Sequence, residues 1–214
     1  MKKSHQKSGG GLSRRVHFPE DEARLTWLPP LLDAYALIDT GVAIALRTGE
    51  KERGGGIACS RGCAVCCRQK DIPVYPHELV GLYWYASEKL EATDFQVLKE
   101  QLENHATRSP CPFLIQNACV VHPVRPAACR WFNIFGAPCG PGEDPYYTRR
   151  ADVLVPIEDY TDRAFSAVLA FYNVKRNVDL TRSLRLVRSQ IVNLQTFDWS
   201  KLLHTMEQEA SPEP

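Results

Sequence analysis

Long hydrophobic runs are missing from this 214-residue chain. No segment reads as the ~20 consecutive apolar residues of a membrane span. The basic opening MKKSHQKSGGGLSRR is followed by no apolar stretch of signal-peptide length. An excess of charge of one sign is missing too, since 26 Lys and Arg face 25 Asp and Glu. Such a balance gives no general electrostatic footprint for nucleic acid. No aromatic residue interleaves the N-terminal charges to stack on bases, so residues 1–20 read as a flexible basic tail. There is no internal repeat and no alternation of strands with helices. The glycines Gly54 to Gly56 lack the strand-turn-helix context that would make them a dinucleotide or S-adenosylmethionine (SAM) loop. These absences point to a cytoplasmic protein with neither a membrane nor a nucleic-acid partner.

Cysteine, by contrast, is plentiful. Eight are present, four of them in CSRGCAVCC at Cys59, Cys63, Cys66 and Cys67, the others at Cys111, Cys119, Cys129 and Cys139. A reducing compartment disfavours disulfides, so clustered thiols read as metal ligands. The thiolate is the binding form, and Arg61, Arg68, Arg125 and Arg130 are each close in sequence to a cysteine, where a cation is expected to lower the thiol pKa. Eight thiolates on two zinc ions would leave a large negative excess, which argues for fewer than eight ligands per centre.

Elsewhere the periodicity is helical. Leu31, Tyr35, Ile38, Val42 and Leu46 share one face of a helix that the Pro29–Pro30 pair starts and Gly49 can end. A short extended piece ending at Pro76 precedes a helix carrying Leu79, Tyr83, Ala86 and Leu90, with His77 near its start as a surface or capping residue. Thr93 and Gln96 have capping-box spacing for the next helix. Residues 107–150 read as irregular apart from a short helix opening at Pro126. Ala164, Val168 and Tyr172 mark another helix, and Leu180, Leu184, Val187, Ile191 and Leu194 a longer one. The fold class is therefore mainly α: a helical single domain over 21–205 around an irregular cysteine-rich metal-binding core at 57–139, with a flexible C-terminal tail at 206–214.

Cys59, Cys63 and Cys66 also spell the CxxxCxxC of radical SAM enzymes, but such enzymes continue into βα units, and this chain continues into helices and Pro-rich loops. The stretch CSRGCAVCCRQKDIPVYPHELVGL, then CPFL, then ACVVHPVRPAACRWF, instead resembles the YkgJ family, bacterial CxxCxxCC proteins described as zinc- or iron-chelating domains. The matching positions are Cys66, Cys67 and Arg68, then Glu78 early in a helix, then Cys111 through Leu114, then Cys119, His122, Arg125, Pro126, Cys129 and Arg130. Three residues separate Cys59 from Cys63 where the family pattern has two. The resemblance implies metal chelation by Cys59, Cys63, Cys66, Cys67, Cys111, Cys119, Cys129 and Cys139, of zinc or of iron, including an iron-sulfur cluster. Some relatives are flagellin lysine-N-methylases, so a SAM-dependent lysine methylase-like or other iron-sulfur enzyme is one alternative, and a metal-delivery or interaction protein another. No catalytic residue is assigned. His122 is a candidate nitrogen ligand, Arg125 and Arg130 are candidates for bonding thiolates or for a structural ion pair, and Glu143 and Asp144 read as solvated loop charges.

Overall fold

Two prolines at a helix start set the longest element in motion, because their missing N–H groups fall where a helix has no internal partner for them. In the computed structural model of the protein, which describes residues 15–105, 110–172, 174 and 179–210, a short helix α1 (Pro19–Arg24) leads into α2 (Leu28–Arg53). Leu31, Leu32, Tyr35 and Ile38 are buried along α2. The helix runs through Gly49 rather than ending there. The Phe135 ring lies where a Gly49 side chain would be, 2.4 Å from an added Cβ, so this glycine serves close packing. The end comes at Gly54, whose φ of 67° is the left-handed cap that glycine adopts without steric penalty. By length and composition α2 could cross a membrane, contrary to the sequence reading. In this fold it is the helix around which α7, α5 and α3 are arranged.

Strand β1 (Pro73–Val74) precedes α3 (Pro76–Glu88) and α4 (Ala92–Glu103). The capping box expected from Thr93 and Gln96 does not form, since Glu91 is the N-cap and makes no side-chain cap bond. The cysteine-rich stretch carries a hairpin of β2 (Leu114–Ile115) and β3 (Ala118–Cys119), then α5 (Ala127–Trp131) with Pro126 at its N-cap, then α6 (Pro145–Thr148). Helix α7 (Glu158–Ala167) passes into a 3-10 turn at Leu169–Tyr172. Helix α8 (Leu180–Ser189) stops short of Ile191 and Leu194. The chain there forms β4 (Val192–Asn193), paired antiparallel with β1 in the register Pro73↔Asn193 and Val74↔Val192. A last helix, α9 (Ser200–Ala210), packs on α3 and α4.

The main core joins Leu28, Leu31, Tyr35 and Ile38 of α2 with Leu82 and Trp84 of α3, Leu98 of α4, Phe113, and Leu202 and Met206 of α9. Parts of both expected tails are placed, since the described residues begin at Arg15 and run through α9 to Ala210. Residues 1–14 and 211–214 lie outside the described residues. From Arg15 onward the chain is tied in: Arg15 bridges Glu22 and Asp33, and the Phe18 ring meets Trp84 edge-on at 5.0 Å. Met206, placed in the C-terminal tail by sequence, is fully buried.

Candidate metal centre

Three backbone arrangements gather the two cysteine groups. The Cys111 N–H donates to the Cys67 carbonyl at 2.7 Å, joining the first group to the second. The Ala58 N–H donates to the Ile134 carbonyl at 2.7 Å, beside a bridge between Ile57 and Phe135, and Ile134 in turn bridges Val153. Those pairings set the residues just before Cys59 beside the segment that leads to Cys139. The β2–β3 hairpin presents Cys119 through a two-residue turn in which Gln116 and Asn117 both have positive φ, 49° and 60°. Two left-handed residues give the turn whose twist matches the paired strands.

All eight cysteines are free thiols, and they divide into two neighbourhoods. Cys111 feels the charges of Cys129, Cys119 and Cys66, and Cys129 those of Cys119 and Cys66. Cys59, Cys63 and Cys139 form the second set, since Cys139 feels both Cys59 and Cys63. Cys66 reaches both sets and is hydrogen-bonded through its side chain to adjacent Cys67. Among the described residues no three His, Cys, Asp or Glu side chains stand close enough to hold one ion as they are placed. The thiols are neighbours, not yet a closed coordination shell.

Their electrostatics overturn the expectation of arginine-activated thiols. Burial pushes Cys111, Cys119 and Cys129 up, Cys119 to about 11, and the mutual repulsion of nascent thiolates adds to it. Cys129 keeps a solvent-facing edge, yet enough protein surrounds its sulfur for lost hydration to be the largest cause. Cys66 is raised first by its bond with Cys67 and then by burial. Arg125 and Arg130 pull Cys119 down, as Arg149 does Cys139, without reversing the shift. Without metal, Cys59, Cys66, Cys111, Cys119, Cys129 and Cys139 are thus held toward the protonated form, and loading an ion on a thiol releases its proton.

The residues around the thiols mostly build walls. Arg130 is an ion-pair residue: its guanidinium bonds Asp39 Oδ2 at 2.6 Å and the Arg125 and Pro123 carbonyls at 2.8 and 2.7 Å, and stacks 4.0 Å from the Tyr35 ring. Arg125 bonds His122 Nδ1 and the His122 carbonyl, each at 3.2 Å, which occupies that ring nitrogen. Arg68 donates to Asn117 Oδ1 at 3.0 Å.

Glu78 is wholly buried, accepting the Tyr75 N–H at 3.0 Å on Oε2 and the Ala127 N–H at 2.6 Å on Oε1. One carboxyl thus starts α3 and also pins the first turn of the helix that carries Cys129. His77, expected at the surface, is buried, stacked on Tyr75 and bonded through Nδ1 to the Tyr172 hydroxyl at 2.7 Å. Glu143 is not a free loop charge. It accepts from Arg149 at 2.7 Å and from the Gly140 N–H at 2.7 Å, which holds it down at about 2, and it steadies Arg149 whose other nitrogen lies 3.7 Å from Cys139 Sγ. Asp144 caps α6. Sequence reasoning missed Asp39, Tyr35 and Arg149 as parts of the surround. Tyr35 and Asp39 stand four apart on α2, so they share a helical face, and that spacing was the available signal.

The donor set suits a thiophilic ion: sulfur ligands from several segments match zinc or iron, and oxygen donors of the kind that select magnesium or calcium are not presented among them. Comparison with curated proteins and with solved structures gives no match. A family model does match, over residues 58–152, and its description is "CxxCxxCC: Putative zinc- or iron-chelating domain". The matched span includes all eight cysteines, Glu78 and the Arg149 that faces Cys139, so the cysteine-rich part of this chain is similar to that domain.

Proposed function

We propose that the protein chelates metal at two adjoining thiol centres. Cys66, Cys111, Cys119 and Cys129 serve the inner one, Cys59, Cys63 and Cys139 the outer one, with Cys67 beside Cys66 between them. The observation that carries this reading is the backbone closure of the two cysteine groups, Cys111 N–H on the Cys67 carbonyl and Ala58 N–H on the Ile134 carbonyl. Residues more than 40 apart in sequence are held together before any ion is bound. Binding then asks only that thiols turn inward and lose protons, which the ion's charge favours. Four thiolates carry −4 against +2 for a zinc ion, and Arg125, Arg130 and Arg149 supply nearby positive charge. Four thiols are also the ligand complement of an iron-sulfur cluster, so the inner centre can take either form.

The test is purification without oxygen followed by measurement of zinc, iron, labile sulfide and visible absorption. Bound zinc without sulfide, or iron with matching sulfide and a visible band, supports chelation and names the form. A folded, colourless, metal-free protein that takes up neither zinc nor iron would contradict it.

A further inference from the structure

Arg125 carries a positive charge that the protein around it does not balance. It is only partly exposed, yet among the described residues it makes no ion pair. Asp39, the acid in its vicinity, is bonded to Arg130 at 2.6 Å, and the other nitrogens of Arg130 are held by the Arg125 and Pro123 carbonyls. Two guanidinium groups therefore share one carboxylate, and Arg125 is the one left over. A guanidinium withdrawn this far from water is ordinarily paired.

The bonds that Arg125 does make determine which of its donors remain. Nη1 is taken up by His122, with one bond to Nδ1 and one to the carbonyl, each 3.2 Å. Nε and Nη2 bond no described residue. Their N–H groups lie side by side on one edge of the guanidinium plane, the fork that fits two oxygens of a carboxylate or a phosphate. His122 adds a further donor. A guanidinium only donates, so Nδ1 is the accepting nitrogen and the ring proton sits on Nε2. That ring is exposed, and its Nε2 bonds no described residue. Donors without an acceptor, on Nε, Nη2 and His122 Nε2, thus lie on one short segment, which the Arg125 N–H closes by donating to the His122 carbonyl at 3.3 Å.

We propose that the free edge of Arg125, with His122 Nε2 beside it, is a seat for a small oxyanion that presents two oxygens, as a carboxylate or a phosphate group does. His122 orders the fork by fixing Nη1 behind it. The seat is set by the metal-free protein, so it stands apart from chelation and does not depend on it. It lies on the segment that joins Cys119 to Cys129, which anchors a carboxylate- or phosphate-bearing molecule beside the inner thiols.

The test titrates full-length metal-free protein with inorganic phosphate and, separately, with acetate at constant ionic strength, and follows the nitrogen and proton resonances of the arginine side chains. The Arg125 Nε–H signal should move saturably with at least one of the two anions, and which of them binds separates a phosphate-bearing ligand from a carboxylate-bearing one. Arg125→Gln should weaken that binding about tenfold or more. Arg125→Lys, which keeps the charge without the fork, should weaken it nearly as much. The His122 ring should carry its proton on Nε2. A signal that neither anion moves overturns the proposal and leaves Arg125 as spare positive charge for the thiols. Undiminished binding in Arg125→Lys overturns the fork, undiminished binding in Arg125→Gln places the anion elsewhere, and a proton on His122 Nδ1 contradicts the arrangement that frees the fork. No metal is present in any of these measurements, so their failure is distinct from a failure of the metal-binding reading.

Discussion

The Glu78 carboxyl connects the start of α3 to the start of α5 and so to the inner thiols. Glu78→Ala leaves two buried N–H donors without an acceptor. It should lower stability by about 3 kcal/mol, as judged by urea unfolding, with Glu78→Gln losing about half that because one acceptor oxygen remains. The neighbouring pair also makes a pH prediction. Burial pushes Glu78 up to about 7, so between its ordinary value of 4.5 and 7 the native state holds a proton that the unfolded chain has released. Its contribution is present below 4.5 and is lost as pH rises through 7. Burial pushes His77 down to about 4, so between 6.5 and 4 the unfolded chain takes a proton that the native state refuses. That contribution is present above 6.5 and is lost as pH falls toward 4, about 3 kcal/mol in all. Between pH 4.5 and 6.5 the two slopes oppose each other. Removing the acid with Glu78→Gln should therefore expose a stability that rises with pH across this window, and His77→Gln one that falls. Parallel curves for the two variants would contradict the assignment. The cysteines were legible from sequence because their spacing is a local pattern. Tyr35, Asp39 and Arg149 were not, since their roles depend on contacts with segments far away in the chain.

At the scale of elements, helix ends show the same limit. The buried stripe on α2 follows from periodicity, but its stop does not. Gly49 and Gly54 are equally plausible terminators in sequence, and only the approach of Phe135 shows that Gly49 is a packing site. Likewise Ile191 and Leu194 continue the spacing of α8, yet pairing of Val192 and Asn193 with β1 takes the chain out of the helix. Helix α9 was not anticipated at all, though Leu202 and Met206 sit four apart on one face. Replacing Gly49 by alanine gives a direct measure of the Phe135 contact. Intrinsic helix preference favours alanine by about 1 kcal/mol, whereas overpacking at a buried ring typically disfavours it by about 1–3. Since Phe135 is almost wholly buried, the second effect should win and thermal unfolding should shift downward. The damage should extend to the ladder of residues 56–58 and 133–136, with faster hydrogen exchange at Ala58 and Gly136.

At the scale of the whole molecule, the apolar core is built mainly by α2, α3, α4, α7 and α9, and the thiols lie along its loop-rich side. Phe113, Val121, Val124 and Ala127 anchor that side into the core independently of the cysteines. Chelator treatment should therefore keep most of the far-ultraviolet helical signal while increasing protease cleavage between 111 and 145; collapse of the helical signal would show instead that metal holds the fold together. The most direct test of the two-centre account is the metal content of two triple variants beside wild type. Replacing Cys111, Cys119 and Cys129 by serine should remove the inner complement and leave the outer one, and replacing Cys59, Cys63 and Cys139 should do the reverse. Full metal content in either variant would contradict the assignment of those thiols as ligands.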